Sequence, residues 1–385
     1  MAAPMHDEVY MYWLSTLYKL GSRRQNQLLD YFGNARDVFN APHALLRAVP
    51  GITENSVRVL TQDRDMAKVD YGLRAMEPMG IRYISRNHAD FPYLLTEIPD
   101  PPVGLFCLGH LPPDDLPRVA MIGSRRCSDY GLSIARSFGV DLAKHGVAVV
   151  SGMARGIDSK AHDGALEGGG PTIAVLGCGL DKCYPPENRR LRDRIAQNGC
   201  VVAEYPPGAG AMPLHFPARN RIISGLCRVV VVVEAGKKSG TLITVEQALD
   251  QGRDVMSVPG NITGTYSEGT NALIKQGAEP AASYLDILQM LDIAPSIHVP
   301  GGVKKATAAL HGKMPSAKSE EKKATPPTLT AEEAPIYALL SHDPIAFDEL
   351  LVQTNSQPPT LQYLLTMLEL KGAVQKFPGN RFAVK

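Results

Sequence analysis

Aromatic residues are scarce in this 385-residue sequence, which holds one Trp, 14 Tyr and nine Phe. That shortage disfavours an OB-type protein, in which successive bases stack on a run of rings. Net charge is nearly absent as well, with 40 Lys and Arg against 39 Asp and Glu. A histone-like polycation is thereby excluded, while local patches stay open. No apolar run approaches the roughly 20 residues of a membrane helix; the longest, VVVVV at 229–233, has the length of a strand. The first residues, MAAPMHDEVYMYW, lack the basic and apolar regions of a signal peptide, so a cytoplasmic protein with no membrane contact is expected. The six cysteines (Cys107, Cys127, Cys178, Cys183, Cys200 and Cys227) form no C-x-x-C pair and have no zinc-finger partners. They read as buried, reduced thiols. No metal set or Ser-His-Asp set can be assembled, and neither a catalytic residue nor a cofactor is expected.

What is present is a chain in four parts. Residues 1–80 show short apolar periodicities of helical spacing, as in VYMYWLSTLYKL and SVRVLTQDRDMAKVDYGL. Between them, LLRAVPGITENSVRVL has the outline of a helix-hairpin-helix, whose turn at Pro50, Gly51, Ile52 and Thr53 serves either a DNA phosphate or plain helical packing. From 81 to 295, apolar runs alternate with amphipathic stretches. Six strands are expected in RVAMIG, VAVVSG, TIAVLG, VVAEY, RVVVVVEA and DVMSVPG. Repeated β-α-β of this kind specifies an α/β fold with a doubly wound, mostly parallel sheet. Residues 296–328 carry six basic and two acidic residues and no apolar period, which reads as a flexible basic linker. Residues 329–385 read as three helices and a strand–turn–strand, the winged-helix outline. Its third helix, from Thr360 to Leu370, has no Lys or Arg and the segment has a net charge of −2, which favours a protein-contact or auxiliary role over duplex binding.

In an open parallel sheet, ligands sit beyond the carboxyl ends of the strands. Four loops there carry unusual chemistry. In GSRRCSDYG, Gly123 and Ser124 lead to Arg125, where a dinucleotide fingerprint would have glycine, and a guanidinium among helix N-terminal amides suits phosphate. In SGMARGIDSKAH, Ser151, Gly152, Ala154 and Gly156 allow a tight backbone, Asp158 caps a helix, and an i,i+4 pair of Asp158 with His162 is expected. In HFPARNRIISGL, Arg219 shares the inner helix face with Ile223 and Leu226, so it needs an acid or an anionic ligand; Glu204 and Glu234 are the candidate acids. Asn220 and Arg221 are expected to fan away as further donors. In EAGKKSGTLITVEQA, Val231 stands where a P-loop needs its first glycine. What remains is Lys237 and Lys238 before Ser239, Gly240 and Thr241, an anion nest at a helix start. Four such loops on one edge point to a polyanion or nucleotide site.

The succession GSR…YG, SGMARGID…AH, AVLGCGLDKCYPPEN, FPARNRII, VVVVEAGKKSGTLIT, GRDVMSVPGNI and GTNALIKQGA resembles the DNA-processing protein A (DprA/Smf) family over about 81–290. The resemblance implies an extended Rossmann-like domain flanked by a small N-terminal SAM-like helical domain and a C-terminal winged-helix domain. It implies a protein that binds single-stranded DNA, helps load the RecA recombinase, protects incoming DNA in natural transformation, and forms a homodimer. By motif, Arg125 and the 219–221 and 237–241 stretches would grip phosphates or a splayed base. The dimer and recombinase surface would fall within 262–292. Two other readings compete. One is an N-glycosidic nucleotide hydrolase, for which Glu246 is the one acid/base candidate although the paired glycines of that motif are missing. The other is a sensor of a small nucleotide.

Overall fold

The computed structural model describes residues 5–294, 330, 333–341, 345–354, 356, 358–371, 373–377 and 381–384. The linker expected at 296–328 lies outside the described residues. Residues up to 300 form one compact unit and those from 301 another.

The first unit begins with six helices: α1 (Met5–Thr16), α2 (Ser22–Phe32), α3 (Ala35–Asn40), α4 (His43–Ala48), α5 (Glu54–Gln62) and α6 (Met66–Met76). Side-chain caps mark several starts: Asn34 accepts from Asp37 N–H, Thr53 from Ser56 N–H, and Asp65 from Ala67 and Lys68 N–H. The hairpin between α4 and α5 turns at Gly51, whose φ of 81° is left-handed and suits glycine.

These helices do not close a core of their own, contrary to the separate domain expected at 1–80. Trp13, Leu28, Leu46 and Leu60 share one apolar cluster with Phe106, Leu176, Val201 and Ala203 of the sheet. Ser15 Oγ lies 2.7 Å from Tyr83 Oη, and Tyr12 packs edge-on against Phe106.

The sheet has nine strands: β1 (Ile81–Ser85), β2 (Gly104–Gly109), β3 (Arg118–Ile122), β4 (Ala148–Ser151), β5 (Thr172–Leu176), β6 (Cys200–Ala203), β7 (Val229–Val232), β8 (Asp254–Ser257) and β9 (Glu279–Pro280). Their order is β1-β2-β6-β5-β4-β3-β7-β8-β9. All six strands expected from the sequence are present, and every pair from β6 to β9 is parallel. β1 and β2 extend the sheet antiparallel and carried no clear signal in the sequence reading. Period-two alternation divides the valines between the faces. Val229, Val231 and Val233 pack with α8 (Asp129–Lys144) and α9 (Ile157–Glu167), which supply Phe138, Leu142 and Ile157. Val230 and Val232 face Leu95 of α7 (Tyr93–Thr96) and Ile222 and Ile223 of a helix on the opposite layer.

Five further helices complete this unit after α9: α10 (Arg189–Asn198), α11 (His215–Gly225), α12 (Thr241–Asp250), α13 (Glu268–Lys275) and α14 (Tyr284–Met290). The chain enters at β3, winds outward through β4, β5 and β6, then returns to place β7 on the other side of β3. That reversal is the topological switch point, and the loops leaving β3 and β7 part there to open a crevice. Among the described residues no helix is long and apolar enough to cross a membrane. Cys107, Cys178, Cys200 and Cys227 are buried, Cys127 and Cys183 are half-buried, and none of the six is bridged.

The second unit holds α15 (Glu333–Leu339), β10 (Ile345–Ala346), α16 (Phe347–Thr354), α17 (Pro358–Leu370), β11 (Val374–Phe377) and β12 (Arg381–Val384). The strands pair antiparallel in the order β10-β12-β11 over a core of Ile336, Leu361, Leu365 and Phe382. This is the winged-helix arrangement read from the sequence. Lys371 pairs with Glu333, which is buried at the start of α15 and whose carboxyl is held below its ordinary range by that contact.

Candidate nucleic-acid interface

A groove of about 860 Å³ occupies the switch-point crevice. Its walls bring together Gly123, Ser124 and Arg125 after β3, Ala154 after β4, Arg219 and Asn220 on α11, and Lys238, Ser239, Gly240 and Thr241 at the start of α12. Arg125, Arg126 and Lys238 are exposed, so the rim carries positive charge facing solvent. Ser124 N–H donates to Glu234 O at 2.8 Å, which pins the β3 loop to the end of β7.

Other residues singled out from the sequence support the groove from beneath. Ser151 is fully buried and its hydroxyl donates to Met121 O at 2.6 Å. Gly156 has φ 78°, and a Cβ there would sit 2.5 Å from Ser124 O, so the close approach of the two loops requires glycine. Lys237 is exposed but does not line the groove.

Arg219 forms the groove floor. It is 4% exposed, its Nε has no hydrogen-bond partner, and its guanidinium lies where a Cβ on Gly152 would stand. Burial lowers its pKa to about 10, against the pull of nearby Asp158 and helped by the like charge of Arg125. The acid beside it is therefore neither Glu204 nor Glu234 but Asp158. Asp158 makes no ion pair with it; its Oδ2 accepts Gly152 and Ala154 N–H at 3.2 and 3.3 Å, bracing the β4 loop. Burial raises the Asp158 pKa. A buried, incompletely satisfied guanidinium at the bottom of a cationic groove is a site for an anion.

Arg221 differs from the expectation of an outward donor. It is 7% exposed and grips Glu204 bidentately at 3.0 and 2.6 Å, while its Nε donates to Asp100 O at 2.9 Å. Burial works against its charge, yet Glu204 and Asp100 raise its pKa above the ordinary value. Both faces of α11 are covered, one by the sheet and the other by the segment around Asp100. Glu234 likewise has its own task, accepting the N–H and hydroxyl of Ser128 at the start of α8.

The Asp158–His162 pair is also absent. His162 is fully buried with Nδ1 2.7 Å from Thr172 Oγ1, and burial together with the charge of Arg219 pushes its pKa down to about 3. A histidine that is held neutral when folded binds fewer protons than in the unfolded chain. Its contribution is present above the unfolded value near 6.5 and is lost as pH falls from there through about 3. His162→Gln is expected to reduce the loss of stability over that window, measured as the pH dependence of the urea midpoint; an unchanged dependence contradicts the assignment.

Several groove residues were not among those singled out from the sequence: Tyr184, Phe216, Thr265 and Tyr266; Asp158 was, but as a helix cap. The Arg125 guanidinium lies 5.3 Å from the centre of the Phe216 ring, which Tyr184 flanks at 5.2 Å. Phe216 was accessible to helical periodicity, since 216, 219, 220 and 223 form one stripe of α11. Thr265 and Tyr266 reach the groove from the loop after β8 and carry no local signal. Glu246, the acid/base candidate of the hydrolase reading, is exposed on α12 and does not line the groove.

The fold and this site define a doubly wound α/β protein whose switch-point crevice is lined by Arg125, Arg126, Arg219 and Lys238, with a winged-helix unit appended. The family model for DNA recombination-mediator protein A matches residues 82–292, and that for the DprA winged helix domain matches 320–380. The chain belongs to the DNA recombination-mediator protein A (DprA/Smf) family. It is 47% identical over 198 residues to DNA processing protein DprA of Streptococcus pneumoniae, covering 51% of this chain and 70% of that protein. It is 33% identical over 401 residues to Protein Smf of Synechocystis sp., covering 98% and 99%. Among solved structures, S. pneumoniae DprA superposes with a TM-score of 0.64 at 37% identity, covering 73% of this chain and 97% of that one. DprA of Helicobacter pylori, whose structure describes its single-stranded DNA binding mode, gives 0.50 at 30% identity over 55% and 95%.

Proposed function

We propose that this protein is a non-enzymatic mediator that holds single-stranded DNA in the switch-point groove, protects incoming strands in natural transformation and helps load the RecA recombinase. One observation carries the reading: Arg219, buried and short of partners, underlies a rim of exposed Arg125, Arg126 and Lys238. Phosphates placed along that rim would supply the anionic partner that Asp158 only partly provides. The single-stranded DNA binding of the H. pylori relative supports the same ligand class. The homodimer and recombinase surfaces would lie in 262–292, which holds α13, α14 and the short edge strand β9. The place of action would be the cytoplasm.

The test is a titration of oligo-dT and of blunt duplex at several salt concentrations, with and without RecA. The expected result is preference for the single strand and a log–log salt slope that steepens by about 0.7 for each phosphate contacted. RecA filaments should form faster when the protein is present. Salt-insensitive affinity, or equal binding of duplex, refutes the groove reading; unchanged filament growth refutes the loading role.

A further inference from the structure

Beside the groove lies a second cavity of about 510 Å³ whose chemistry is the reverse of the first. No Lys or Arg lines it. Its one charged group is Glu234, 2% exposed, which accepts hydrogen bonds from Ser128 and has no cation paired with it among the described residues. Two half-exposed rings bound it, Tyr130 and Tyr266, and the Tyr130 hydroxyl is anchored on Pro259 O at 3.0 Å. Asn261 also lines it. Its Oδ1 accepts from the N–H and hydroxyl of Thr263 at 2.9 and 2.8 Å, which fixes the amide orientation and leaves Nδ2 as a donor.

A buried carboxylate without a cation repels phosphate. In a cavity also lined by two rings and an amide donor, it suits a flat, neutral group offering adjacent N–H donors beside a carbonyl. Among nucleobases that edge belongs to guanine, with N1–H and N2–H₂ for a carboxylate and O6 for an amide donor. Adenine and cytosine offer an amino group without the neighbouring imino N–H, and thymine offers the imino alone. Tyr266 lines both cavities, so a base turned out of a strand enters the second while its phosphates stay on the cations of the first.

We infer that this cavity receives a guanine base, read by Glu234 and Asn261 between Tyr130 and Tyr266, from the strand held in the groove. The inference rests on the reading of the groove as a single-stranded DNA site. It gives a mediator otherwise indifferent to sequence a local preference for guanine.

The experiment compares fluorescent oligo-dT strands carrying one central dG, dA, dC or dT, by anisotropy at fixed salt. The dG strand is expected to bind about five- to tenfold tighter. Asn261→Ala, which alters an exposed side chain outside the groove, should abolish that advantage and leave all-dT binding unchanged. Glu234→Gln should do the same wherever its folding is intact by circular dichroism. Calorimetry with guanosine monophosphate separates the two sources of the base. Binding of the free nucleotide that depends on Asn261, without strand preference, keeps the guanine chemistry and rejects the strand as its source. Equal affinity for all four strands with no such binding, or a dG advantage that survives Asn261→Ala, overturns the pocket. Failure of the wild type to bind even oligo-dT overturns the groove reading instead.

Discussion

Arg219→Met is expected to weaken oligo-dT binding by about 10- to 100-fold while leaving thermal stability within about 1–2 kcal/mol of the wild type. A hydrogen bond from a charged donor to a phosphate in a partly dry site contributes on that scale, and methionine replaces the apolar stem without the guanidinium. Stability is spared because Arg219 is buried without an ion pair and its Nε is unsatisfied, so its removal abolishes a desolvation cost. Asp158 keeps its two backbone donors, and the loss of the neighbouring charge raises its pKa further. Anisotropy titration and a urea melt on the same sample read the two quantities. Unchanged affinity, with the fold intact, would remove Arg219 from the site.

The residue two positions further on should behave in the opposite way. Arg221→Met leaves the half-buried Glu204 with its bidentate partner gone, a change expected to cost about 3 kcal/mol and to lower the melting temperature by about 5 °C. Oligo-dT affinity of the folded fraction should stay within about twofold, because the guanidinium reaches Glu204 and Asp100 rather than the groove. Glu204→Gln tests the same pair from its other side. A stable Arg221→Met variant that fails to bind DNA would assign Arg221 to the interface after all. The contrast is between two arginines on one turn of α11: one is left short of partners within the protein, the other is used up in holding α11 to the segment before β2.

The alternation of apolar runs with amphipathic stretches determined the doubly wound sheet. β-branched residues at period two and helices at period 3.6 leave few ways to bury both faces of parallel strands. The four loops with glycine and cation at strand ends were legible for the same reason, since parallel strands place their carboxyl ends on one edge. Arg219 facing inward followed from helix geometry and from Ile223 and Leu226 beside it. The winged-helix outline followed from helix lengths and a terminal hairpin.

Tertiary structure alone decided which of these groups stayed free. Arg221 is consumed because Asp100 and Glu204, 121 and 17 residues away, come together beside α11. His162 pairs with Thr172 rather than Asp158 because the α9 face that carries it lies on β5, and Asp158 turns to the backbone of Gly152 and Ala154. Tyr184 and Tyr266 reach the groove from loops outside the four glycine- and cation-bearing segments singled out for it. The helices of 1–80 lose their independence because Phe106 and Leu176 complete their core. Sequence spacing specifies the direction of a side chain from its own element, whereas pairing, desolvation and access depend on elements distant in the chain. For a sequence with so little net charge, that distinction places the cations: the neutral total is fixed by composition, and the positive groove by which acids the fold brings near them.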